Sequence, residues 1–69
     1  AGPPVAAGDR RTVEIENIGD QGDGIAKIDR GYVLIVPDTG VGDYVTVEIE
    51  TAQENVGFAT VVDRNPPQS

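Results

Sequence analysis

Four consecutive aliphatic residues, Val33-Leu34-Ile35-Val36, lie between Gly31-Tyr32 on one side and Pro37 on the other. The run is too short for a buried helix, and its glycine and proline flanks mark it as a β-strand. Pro37 has no N–H to give to a ladder, so the strand ends there. Asp29-Arg30-Gly31 supplies turn residues that join Tyr32–Val36 to Gly24–Ile28, which makes the two segments a hairpin. A strand without polar alternation is expected to be covered on both faces. In 69 residues the simplest cover is a sheet curled on itself.

The remaining segments fit that plan. Arg10–Ile18 alternates, with Val13 and Ile15 on one face and Thr12, Glu14 and Glu16 on the other, and breaks at Asn17-Ile18-Gly19 as a bulge would. Pro37–Asp43 is rich in turn residues, and its Val41 is expected to plug a barrel end. Tyr44–Ala52 alternates again, with Val45, Val47 and Ile49 facing the core. Asn55–Val62 puts Val56, Phe58, Thr60 and Val62 on one face and Gly57, Ala59 and Val61 on the other. Residues 1–9 are expected to be a flexible N-terminal arm, residues 10–63 the folded domain and residues 64–69 a flexible tail. Five short strands without a helix indicate an all-β domain, a small five-stranded OB-like β-barrel, because closure removes exposed edges.

Composition narrows the chemistry. The chain contains no cysteine and no histidine. Disulfides and thiolate metal sites are therefore excluded, along with the commonest general base. Asp20 and Asp23 lie three apart in a glycine-rich loop, but no nucleophile context accompanies them. Gly22-x-Gly24 lacks the third glycine of a phosphate-binding fingerprint. An EF-hand fails because Gly19 and Gln21 occupy ligand positions and Arg30 stands where a bidentate Glu belongs. A non-enzymatic protein without metal or cofactor is expected. The start of the chain lacks the regions of a signal peptide, and no apolar run approaches the roughly 20 residues of a membrane span. The expectation is a cytoplasmic protein with no membrane partner.

Twelve acids oppose five bases, for a net charge of −7. Such a balance opposes phosphate binding in dilute buffer. The acids are dispersed, however, and Lys27 is the single lysine. Dispersed acid with little lysine is the pattern of adaptation to concentrated salt. There the Debye length falls to roughly 3 Å and a partner would scarcely feel the net charge.

The ordered series Gly22-Asp23-Gly24-Ile25-Ala26-Lys27-Ile28, Gly31-Tyr32-Val33-Leu34-Ile35-Val36-Pro37, Val41-Gly42-Asp43 with Val45, Val47 and Ile49, then Phe58-Ala59 and Val61-Val62, resembles the TRAM domain across about residues 10–63. The Asp29-Arg30-Gly31-Tyr32 turn and the acidic balance are most similar to haloarchaeal members. The resemblance implies an OB-like barrel that binds RNA. It also implies occurrence either as an appendage of tRNA uracil methyltransferases and radical methylthiotransferases, or as a free-standing archaeal protein with a cold-shock-like RNA chaperone role. With no room for a catalytic domain, the chain looks like the free-standing kind or an excised domain.

Residue by residue, the resemblance places the second-strand basic position at Lys27, the third-strand aromatic positions at Tyr32 and Ile35, and the fifth-strand aromatic positions at Val56 and Phe58. Two of the four aromatic positions are thus aliphatic, which implies weaker stacking on bases. Arg30, at the turn tip, completes the candidate RNA-binding set. Each has a structural alternative: Tyr32 as a barrel-capping ring, Phe58 as the largest core side chain, Lys27 paired with a cross-strand acid, Arg30 paired with Asp29 or Asp38. Arg10, Arg11 and Arg64 could form a second basic spot. The implied partner is RNA (tRNA, rRNA or mRNA), alongside the ribosome or RNA-modification machinery, with the chain acting as a monomer. The competing expectation is a protein-interaction domain that has lost RNA binding.

Overall fold

A computed structural model describes residues 2–66. Six strands form in chain order: β1 (Arg10–Glu14), β2 (Asn17–Ile18), β3 (Gly24–Ile28), β4 (Tyr32–Val36), β5 (Tyr44–Ala52) and β6 (Val56–Asp63). The β3–β4 turn is a single 3-10 turn, Asp29–Gly31, in which Arg30 (φ 60°) and Gly31 (φ 79°) both take left-handed backbone. Among the described residues no helix is long and apolar enough to cross a membrane.

The strands form one sheet in the order β1-β5-β6-β4-β3-β2, antiparallel except where β6 runs parallel to β4. Its two ends, β1 and β2, are joined through Ile15-Glu16. There the backbone changes partner: Ile15 N–H donates to Asp43 O at 2.8 Å, and Glu16 N–H donates to Ile25 O at 2.8 Å. The expected first strand is therefore present but serves both ends of the sheet, which closes it into an OB-like barrel. Register shifts between Thr46 and Val47 and between Ile49 and Thr51 interrupt the long β5–β6 ladder, as bulges that curve a sheet do.

Inside the curl lie Val13, Ile15, Ala26, Tyr32, Leu34, Val36, Val45, Val47, Ile49 and Ala59. The inward faces expected for β1 and β5 are found there. Ile15, Leu34, Val36 and Val47 are completely buried, each contributing about 1.5–3 kcal/mol of transfer free energy. Thr39 donates its hydroxyl to Val36 O at 2.8 Å and rests directly on the Cα of Gly24, where a Cβ would collide with it.

Three expectations are corrected. β4 is covered on one face only: Tyr32, Leu34 and Val36 are buried, whereas Val33 and Ile35 are half-buried on the outside. The domain is too small to lay a second layer over that face. Val41 plugs nothing, being 64% exposed at the tip of its loop. The N-terminal arm is not free along its length, because Val5 enters the core at 5% exposure. Its base is pinned where Gly8 N–H donates to Ile49 O at 2.7 Å and Ile49 N–H donates to Asp9 O at 2.8 Å. At the other end, Arg64 donates to Asp38 O at 2.9 Å and Pro66 is buried; the rest of the expected tail, residues 67–69, lies outside the described residues.

Candidate nucleic-acid interface

Strand register assembles the outer face of β3, β4 and β6. Lys27 pairs with Val33 and Val33 with Val56; one step along, Ile25 pairs with Ile35 and Ile35 with Phe58. Directly paired residues project on the same side of a sheet. Two rows of three side chains thus lie next to each other, Lys27–Val33–Val56 and Ile25–Ile35–Phe58. Lys27 is exposed, Phe58 is 39% exposed and the four aliphatic side chains are half-buried. The face is apolar, with a flat ring at one side and a cation at the other.

Four of the six candidate residues, Lys27, Ile35, Val56 and Phe58, meet on this face. Tyr32 does not, and its expected role as a stacking platform is corrected. It is 7% exposed, and its hydroxyl donates to Gln53 O at 2.6 Å. The ring lies over Gly57, where an added Cβ would stand 3.2 Å from Tyr32 Oη and Cε2. A missing side chain on β6 is therefore what admits the tyrosine. With Tyr32 inside, strand parity turns Val33 outward in its place.

Arg30 is also elsewhere. It lines a separate cleft with Tyr32, Gly2, Pro4, Glu54 and Asn55. Neither partner expected for it is used that way. Asp29 pairs with Arg11 at 2.9 Å, and Asp38 accepts from Arg64 through its backbone carbonyl. Arg10 is in an ion pair with Glu48 at 3.3 Å. Three of the four arginines are thus engaged on the protein itself, which weakens the second basic spot.

Sequence inspection missed Ile25 and Val33, although their parity with Lys27 and Ile35 was available. The glycine-rich loop 19–23, to which the sequence assigned no chemistry, stands beside Phe58. That loop is a tight turn, with Gly22 N–H donating to Gly19 O at 3.0 Å and Gly19 N–H donating to Asp23 O at 2.9 Å. Gly22 holds φ +86°, a conformation side-chain-bearing residues rarely adopt.

A curled sheet of this topology, with one apolar outer face holding an exposed ring and a lysine, defines a small all-β domain of the OB-like class. The TRAM domain model matches residues 4–62, and the chain belongs to the TRAM domain family. It is 53% identical over 66 residues to a ribosomal RNA large subunit methyltransferase E of Halorubrum lacusprofundi, covering 96% of this chain and 24% of that protein. The chain thus spans about a quarter of the length of such relatives. It is 43% identical over 56 residues to an uncharacterized protein of Methanocaldococcus jannaschii, of which the match covers 71%. The solution structure of a conserved protein of Methanococcus maripaludis superposes with a TM-score of 0.78 at 42% identity, covering 86% of this chain and 83% of that one.

Proposed function

We propose that this chain is an RNA-binding module, not an enzyme, and that the outer face of β3, β4 and β6 is its contact surface. The observation that carries the proposal is the register that places Phe58 and Lys27 at opposite sides of one apolar face. Membership of the TRAM family and similarity to a ribosomal RNA methyltransferase support it. Phe58 offers a platform for one base, and stacking is worth roughly 1–3 kcal/mol per base. Val33, Ile35 and Val56 cover flanking base and ribose faces by contact alone. Lys27 meets the phosphate chain. Duplex hides its base faces, so single-stranded segments are preferred, as a chaperone of tRNA, rRNA or mRNA structure in the cytoplasm requires. We take the monomer as the working unit.

The dispersed carboxylates belong to a protein of concentrated salt. Stacking survives such salt better than phosphate contacts do, which suits a face with one ring and one lysine. Mutual repulsion of the acids in dilute buffer gives a lower melting temperature at about 0.1 M KCl than at about 2 M. Circular dichroism checks this, and equal melting temperatures would remove the high-salt reading.

The direct test is fluorescence anisotropy with single-stranded RNA of about 15 nucleotides in about 2 M KCl. Saturable binding that weakens in Phe58→Ala supports the proposal; no saturable binding sinks it. The aliphatic make-up of the face favours a second function, a protein-docking domain. Partners that stay bound after nuclease treatment would establish that function instead.

A further inference from the structure

Beside Phe58 the face ends in an open cleft of about 380 Å³. One wall is apolar, formed by Ile25, Ile35 and Phe58; the other is the loop carrying Asp20, Gln21 and Asp23. Asp23 is half-buried, while Asp20 and Gln21 are exposed. Neither carboxylate is held in an ion pair among the described residues. The apolar wall suits a flat ring. The loop wall repels phosphate and offers acceptor oxygens, so of the parts of an RNA chain it suits a neutral base that brings N–H donors.

Base edges differ sharply in that respect. Guanine presents two adjacent donors, N1–H and the N2 amine, spaced to meet both oxygens of one carboxylate. Adenine and cytosine each present one amine beside an acceptor nitrogen. Uracil presents one imide N–H between two carbonyls. In those three bases an acceptor would face the carboxylate, which is repulsive and discriminates against them. The amide of Gln21 is a donor available to guanine O6.

We propose that this cleft selects guanine in single-stranded RNA, with the ring against Ile35 and Phe58 and the donor edge on the carboxylates of Asp20 and Asp23. The proposal rests on the RNA-binding function above and adds a base preference to it.

The test uses oligouridine of about 12 nucleotides, and the same strand with one central guanosine, adenosine or inosine, titrated in about 2 M KCl to screen general repulsion. Guanosine is expected to bind about tenfold tighter than uridine, with adenosine no better than uridine. Inosine, which lacks the N2 amine, is expected to lose most of the gain. In the double variant Asp20→Asn, Asp23→Asn the guanosine-to-uridine ratio is expected to fall to about twofold or less. The readout is a ratio of affinities, which a general effect of the variant on RNA binding does not move. An amide NMR spectrum confirms that the variant is folded. Saturable binding without guanosine preference, or a preference that survives the double variant, overturns the proposal alone. No binding to any strand overturns the RNA-binding function with it.

Discussion

The barrel has one inside but two kinds of outside. On β1 and β5 the outward side chains satisfy each other: Arg10 meets Glu48 at 3.3 Å, and the hydroxyls of Thr12 and Thr46 lie 2.8 Å apart. On β3, β4 and β6 the outward positions are aliphatic or aromatic, with Lys27 at one corner. Behind both, the inner lining is buried and apolar: Val13, Val45, Val47 and Ile49 on β1 and β5, and Ala26, Tyr32, Leu34, Val36 and Ala59 on β3, β4 and β6. The difference therefore comes from what each outer surface is left to meet. One is finished by its own cross-strand pairs and water. The other keeps apolar area exposed, as binding surfaces do.

The sharpest way to break this contrast is to truncate one side chain on each side of the sheet, Leu34 inside and Phe58 outside. Leu34→Ala removes a fully buried side chain and should cost about 2–5 kcal/mol of folding free energy, a large share of the stability of so small a domain. Urea titration measures it. Phe58→Ala should do the reverse, leaving stability within about 1 kcal/mol while RNA affinity drops by about 1–3 kcal/mol. If Phe58→Ala costs more than about 2 kcal/mol of stability while the folded variant keeps its affinity, the two faces have been assigned the wrong way round. Tyr32→Phe removes the donor to Gln53 O and should cost about 0.5–1.5 kcal/mol of stability, with RNA affinity unchanged within about twofold. A large loss of RNA binding would put the ring back on the surface. Lys27→Ala should have the smallest effect, lowering the salt slope of log affinity for single strands by about 0.7. Titrations at several KCl concentrations read that slope.

Alternation made β1 and β5 legible before any coordinates, since a period of two assigns both faces at once. The same rule was silent on Tyr32–Val36, where every residue is apolar and either parity is acceptable. Its face is decided by the gap at Gly57 and the carbonyl of Gln53, both supplied by distant parts of the chain. Phe58 and Val56 were assigned to one side of β6, and the neighbours Gly57 and Ala59, with no large side chain to expose, fill the other. The partner change at Ile15-Glu16 was visible as a break near Asn17 but not as a seam, because sequence pattern shows faces and not partners. Val5 lay in a stretch without periodicity, three residues ahead of the Gly8 N–H that donates to Ile49 O and fixes the arm to the sheet.

The parallel pairing of β4 with β6 has a consequence for biosynthesis. The proposed contact surface is composite: two of its strands form a local hairpin, but the third is the last of the six strands to be made and can dock only after β5 has turned the chain around. A nascent or clipped chain that stops before residue 56 therefore lacks Phe58 and Val56 and keeps only the two strands of the hairpin. Ligand capture then reports on completion of the whole barrel, and a bound strand would favour finished molecules over partly assembled ones by mass action.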